Sequence, residues 1–200
     1  AQRGLASFSP PEITRADLLP LALDLADWGI TDPETLHWMD APDRAAIQQA
    51  KDLLNHLGAM DEKGRITPHG QQMARLAMHP RLAHMVLTAR DRGFGQLALH
   101  LAALLSERDM LRDRSVDMRR RLLLLDDFIQ GKFPKARQPD VDQGVLHQIR
   151  RQINKWESQL NLPPDSSRDI EKTGLCLALA YPDRVGLRRP RRRRRRPLPA

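Results

Sequence analysis

The side chains best placed to do chemistry in this sequence are basic and amide groups at helical spacing. In VLHQIRRQINKWESQL, Gln148, Arg151 and Lys155 stand three and four residues apart, and Gln159 continues the same line. No carboxylate falls on it. Such a row, opposite an apolar face, suits a helix lying along phosphates, where guanidinium, ammonium and amide groups bond anionic oxygens. The plainer reading is the wet face of a bundle helix. A second basic group lies in SERDMLRDRSVDMRRR, with Arg108, Arg112, Arg114, Arg119, Arg120 and Arg121. Glu107, Asp109, Asp113 and Asp117 interleave with them, so part of this surface is expected to neutralise itself. The phosphate-contact candidates taken from it are Arg108, Arg112, Arg114 and Arg119.

Other chemistries find less support. No G-x-x-x-x-G-K-[ST] stretch is present, so nothing cradles nucleotide phosphates in that way. Asp61-Glu62 sits in a polar turn, not at the end of a buried strand where a metal-holding acid pair would belong. His79 and His84 flank Pro80 without nearby cysteines or paired acids, which is poor metal-ligand spacing. Cys176 lies among Leu175, Leu177 and Leu179 and reads as a small core residue, not a nucleophile. No catalytic or metal-binding residue is assigned.

The elements that must position the basic row are helical. RADLLPLALDLADW places Leu18, Leu21, Ala22 and Leu25 on one face and ends at Gly29. TLHWM is expected to be a short helix. APDRAAIQQAKDLLNHLGA has Ala46, Ile47, Ala50, Leu53, Leu54 and Leu57 on one face, with Gly58 beyond its end. AMDEKGRI sets the turn formers Asp61 to Gly64 between two strand-like pieces, which predicts a small β-hairpin. Thr67-Pro68 is a cap and first-turn proline opening PHGQQMARLAM, which His79-Pro80 stops. Helix, helix, hairpin, helix approaches a winged-helix arrangement, with the hairpin as its wing. Everything after it is helical. RLAHMVLTARDRG has one apolar stripe, and FGQLALHLAALLSE is apolar nearly all round and should be buried. VDMRRRLLLLDDFIQ turns Leu122, Leu125, Phe128 and Ile129 inward. The helix carrying Gln148 buries Leu146, Ile149, Ile153, Trp156 and Leu160, and IEKTGLCLALAYPDRV closes the series. The fold class is mainly α.

Charge narrows the partners. The chain carries +8 over 200 residues, but LRRPRRRRRRPLPA alone holds eight arginines and no acid. Taking those eight from the 33 basic residues leaves 25, matching the 25 acidic ones. Residues 1–187 are therefore formally neutral, and any nucleic-acid footprint there must be local. The tail, 188–200, is low-complexity and expected to be disordered. One cysteine allows no internal disulfide, no apolar run reaches the roughly 20 residues of a spanning helix, and no signal-peptide core appears. The expectation is a cytoplasmic protein with no membrane partner.

The order of motifs resembles a known family. Glu12-Ile13 with Arg15 and Leu18, then Leu57-Gly58-Ala59, Thr67-Pro68-His69-Gly70 and His79-Pro80, look like the segment after the helicase core of DEAH-type ATP-dependent RNA helicases. HPRLAHMVL and LALAYPDRV are most similar to the bacterial HrpB-type branch. The resemblance runs from about residue 8 to 187. It implies an irregular lead-in from an upstream helicase core over 1–14, a winged-helix domain over 15–79 and a helical, ratchet-like bundle over 80–187. It further implies single-stranded RNA as partner, closed on by RecA-like domains of the same polypeptide that bind ATP and Mg. The ATP-binding loop, the DEAH box and the arginine finger are all missing here and would lie upstream, so no catalytic residue and no cofactor is carried over to this chain. The rival readings are a free-standing winged-helix regulator of duplex DNA and a helical protein-interaction adaptor. A regulator would want a basic recognition helix, and His69 to Met78 offers only Arg75. Residues 1–200 alone are expected to release no phosphate from ATP, with or without RNA; RNA-stimulated release from the pure chain would contradict this.

Overall fold

The computed structural model describes residues 11–113, 115–133, 140–160, 162 and 169–186. Among them are eight α-helices: α1 (Leu19–Asp27), α2 (Arg44–His56), α3 (Pro68–Ala74), α4 (Pro80–Asp91), α5 (Gly95–Ser106), α6 (Met118–Ile129), α7 (Gln143–Leu160) and α8 (Thr173–Ala180). The ends follow local chemistry. The Asp43 carboxylate accepts from Ala46 N at 2.8 Å to open α2, and the Thr67 hydroxyl accepts from Gly70 N at 3.0 Å to open α3. Pro68 and Pro80 occupy first-turn positions where no N–H is needed. Gly29 and Gly58 follow α1 and α2 in the left-handed region, at φ 79° and 71°.

Two expected elements are absent. The β-hairpin wing does not form, and the described residues contain no strand. Residues 60–66 keep only a single antiparallel bridge, Met60 to Ile66. The reason is competition for backbone groups. Ala59 N and Met60 N donate to Leu54 O at the end of α2, while Ala59 O accepts from Thr67 N at 3.0 Å. The arms are thus used to join α2 to α3. What survives is a tight turn in which the Asp61 carboxylate accepts from Lys63 N and Arg65 N, both at 2.9 Å. TLHWM is not a helix either; the helical piece there is a 3-10 turn, Pro33–Thr35, capped by Asp32. Trp38 Nε1 donates to Pro33 O at 2.7 Å and holds that segment as a loop. Helix α3 is also shorter than the expected PHGQQMARLAM, ending at Ala74.

Nearly all the buried hydrophobic residues form one continuous cluster, from Leu18 just before α1 to Ala180 at the end of α8. Helix α5 is its centre, with every residue from Gly95 to Leu104 buried. It packs against α4, α6, α7 and α8, while α1 lies against α2, α3 and α4. The turn before α3 is set by a close approach. A Cβ on Gly70 would stand 2.2 Å from Ala59 O and 2.8 Å from Ile66 Cγ1. Only glycine lets α3 sit on that turn. Gly70→Ala is expected to cost about 3 kcal/mol by overpacking against backbone, read as a lower denaturation midpoint; an unchanged midpoint would mean that α3 is not seated this way.

Candidate nucleic-acid interface

Helix α7 is an 18-residue rod fixed on one side and free on the other. Val145, Leu146, Ile149, Ile153, Trp156 and Leu160 are buried. Trp156 Nε1 donates to Ala77 O at 3.3 Å, tying the rod to the turn before α4. Asp142 accepts from Val145 N at 3.2 Å at the rod's start, and the Arg150 guanidinium donates to Ile129 O at 2.9 Å. On the far face Gln148, Arg151, Lys155 and Gln159 are all exposed. Among the described residues, the side chains of Gln148, Arg151 and Lys155 make no hydrogen bond or ion pair.

The arginines of 108–121 behave differently. Leu111 bridges Val141, Arg112 N donates to Asp140 O, and Asp142 N donates to Met110 O. This pairing brings Arg108 and Arg112 to the N-terminal end of α7. Arg108 is bonded to Asp142 at 2.8 Å, whereas the exposed Arg112 side chain has no partner among the described residues. Arg119, on α6, is bonded instead to Glu171 at 3.3 Å. Arg114 lies outside the described residues, as does the arginine tail. Arg120 pairs with Asp113. Arg121 is buried and donates four hydrogen bonds: to both oxygens of Asp109, to Asp117 O at 3.1 Å and to Ser115 O at 2.6 Å. The same guanidinium holds the Asp109 carboxyl below the usual carboxylate range. Arg121 therefore staples its loop shut. The structure brings together Arg108, Arg112, Gln148, Arg151 and Lys155 on or beside α7, and ties Arg119 to the turn before α8.

Sequence reasoning did not find the long-range polar contacts. Arg81, nearly buried on α4, bonds both oxygens of Asp183 at 2.6 and 2.9 Å and Ala180 O at 3.1 Å. Its one signal is an arginine inside an otherwise apolar stripe. His69 Nε2 and His84 Nδ1 are 2.9 Å apart, joining α3 to α4, and His79 Nε2 lies 3.0 Å from Asp17. Among the described residues no group of three or more His, Cys, Asp or Glu is arranged to hold a metal. Cys176 is fully buried, and burial pushes its thiol up to about 11. No described helix is long and apolar enough to cross a membrane.

Comparison with known proteins places this arrangement. Residues 52–78, which span the end of α2, the tight turn and α3, match the family model "Helicase associated domain (HA2), winged-helix". That stretch is thus similar to the winged-helix part of a helicase-associated region. The ATP-dependent RNA helicase HrpB of Escherichia coli (strain K12) is 39% identical over 102 residues, 51% of this chain and 12% of the relative. HrpA of the same organism is 36% identical over 115 residues, covering 55% and 9%. The probable ATP-dependent RNA helicase DHR2 of Saccharomyces cerevisiae is 33% identical over 115 residues, covering 58% and 16%. The crystal structure of the Escherichia coli DEAH/RHA helicase HrpB superposes with a TM-score of 0.68 at 30% identity, covering 90% of this chain and 20% of that one. The chain is thus similar to the helicase-associated portion of DEAH-type helicases, the HrpB-like branch among them. It spans only about an eighth of HrpB's length by sequence match and a fifth by superposition.

The histidine pair yields a pH dependence. Burial, with His69 and then Arg92 nearby, holds His84 at about 4, below the ordinary 6.5; burial also lowers His69. The unfolded chain thus takes up protons at a higher pH than the folded one. Stability from this pair is intact above about pH 6.5, falls as pH drops toward 4, and levels off below it. The aspartates held low by arginine, Asp109 and Asp183, come into play only at more acidic pH. Thermal melts are expected to shift downward between pH 7 and 5, and His84→Gln should flatten that slope; an equal slope in both chains would refute the assignment.

Proposed function

We propose that this chain is the RNA clamp of a DEAH-type helicase, holding single-stranded RNA against RecA-like motor domains of the same polypeptide. The observation that carries the reading is the exposed, unpaired row Gln148, Arg151 and Lys155 on a rod fixed along its other face. Arg108, Arg112, Arg114 and Arg119 are secondary contacts in this reading, and those now bonded to carboxylates must exchange them for phosphates. A motor following a strand needs a rigid wall opposite its moving parts, and basic side chains on that wall grip phosphate without reading sequence. We assign residues 15–79 to the winged-helix part and 80–187 to the ratchet-like bundle, meeting at His79-Pro80. ATP and Mg belong to the motor domains in this reading, since the relatives are ATP-dependent helicases and no phosphate-cradling glycine loop stands in this sequence. RNA-dependent ATP hydrolysis in the cytoplasm is then an activity of the whole polypeptide. The relatives' description as ATP-dependent RNA helicases supports this.

The test uses a chain ending at Leu187, so that the tail's arginines do not mask the rest. It should bind single-stranded RNA weakly and with a shallow salt dependence. Arg151→Ala and Lys155→Ala are each expected to weaken binding by about tenfold or less and to lower the salt slope by roughly one. Arg90→Ala, on α4 and bonded to Asp91, should change neither. Tighter binding of duplex DNA would favour a regulator. Loss of all RNA binding, even when joined to ATPase domains, would leave the row a wet helix face.

A further inference from the structure

A cleft of about 600 Å³ opens between the start of α4, the end of α5, the middle of α7 and the turn after α8, with Asp17, His79, Glu107, Gln152, Tyr181 and Arg184 among its lining residues. Its size falls in the range of small-molecule sites. Its charge is wrong for phosphate. Helix α5 points its C-terminal, partly negative end here, and Glu107 adds a carboxylate with no side-chain partner among the described residues. His79 is engaged by Asp17 and Arg81 by Asp183, which leaves Arg184 as the one lining cation to set against the Glu107 carboxylate. The groups that remain are donors and acceptors suited to a neutral ligand. Gln152 is half-buried and has no partner among the described residues, and Arg184 lies over the Tyr181 ring at 5.2 Å, presenting a guanidinium plane.

Position supplies the ligand class. Gln152 follows Arg151 directly and Gln148 by one turn, on the border between the buried face of α7 and its basic row. A strand with its phosphates on that row would have a base within reach of the cleft. We infer that this cleft receives one unstacked nucleobase of the bound strand and favours a base with an exocyclic amino group. Arg184 supplies the stacking surface, as guanidinium planes do for splayed bases. Gln152 bonds the base edge, and Glu107 accepts from the amino group, the pairing by which carboxylates recognise cytosine N4. The inference rests on the RNA-clamp reading and adds to it a base preference that phosphate contacts alone cannot give.

The experiment measures anisotropy of labelled 12-nucleotide oligo(C) and oligo(U) RNA with the same chain ending at Leu187, so that the tail's arginines mask neither the preference nor the loss of a contact. Oligo(C) is expected to bind about fivefold more tightly than oligo(U), one good hydrogen bond in magnitude. Glu107→Gln should bring the two to parity. Gln152→Ala should weaken oligo(C) while leaving the salt slope unchanged, because no phosphate contact is lost. Equal affinities in the parent chain, or a preference that survives Glu107→Gln, would overturn the inference. Arg151→Ala separates the two ideas. If it weakens both oligomers while they bind equally, the clamp stands and the base site falls. If it weakens neither, the clamp reading fails, and the base site fails with it.

Discussion

Helix α5 has no wet side, and the rest of the molecule is arranged to satisfy that. From Gly95 to Leu104 every residue is buried, so a wall is needed in each direction. α4, α6, α7 and α8 supply those walls. One of its two buried polar residues, His100, is accommodated internally, with Nδ1 at 3.2 Å from the Asp126 carboxylate. Each wall helix then has one face spent on α5 and one left for other work. The outward face of α7 is therefore a consequence of α5, since turning it would expose Leu146, Ile149 and Ile153 to water at about 1.5–3 kcal/mol each.

Much of this was legible because it is periodic or local. The stripes on α4 and α7, the total burial of α5 and the cap at Thr67-Pro68 are written in residues three to four apart, and the structure has them all; His79-Pro80, read as the stop of α3, instead opens α4. The run Thr67-Pro68-His69-Gly70 carries more than its resemblance to the DEAH-type family suggested. Its threonine caps, its proline fills a first turn, its histidine reaches His84, and its glycine clears Ala59 O. The misses have one origin. The hairpin at 60–66 failed because its backbone groups were claimed by Leu54 and Thr67, and TLHWM failed because Trp38 reaches back to Pro33. Arg81 with Asp183 and His69 with His84 are partners 102 and 15 residues apart. No spacing rule announces such pairs, because they exist only once helices have packed.

The candidate interface divides along the same line. Its helical row could be read from spacing, since the side opposite a buried stripe must be the exposed one. Which cations are available could not, because that depends on where each carboxylate ends up. Four of the six arginines between 108 and 121 are engaged by Asp142, Glu171, Asp113 and Asp109. An arginine already bonded gains less from a phosphate, as one charge-assisted bond is exchanged for another. The local density of arginine therefore overstates the grip, and two isolated cations on α7 matter more than the crowded run.

This scarcity fits what a moving clamp requires. A strongly basic wall would hold RNA through many contacts and resist each advance, because every released phosphate contact costs free energy. Residues 1–187 carry no formal net charge, so the surface exerts no broad pull on a strand. What α7 offers instead is precision of placement. Trp156 on Ala77, Arg150 on Ile129 and the Asp142 cap fix the rod at three points. Arg151 and Lys155 then reach out from a backbone that does not yield. In the proposed reading a few weak contacts on a rigid support let the motor domains do the pulling, while the wall keeps the strand in register.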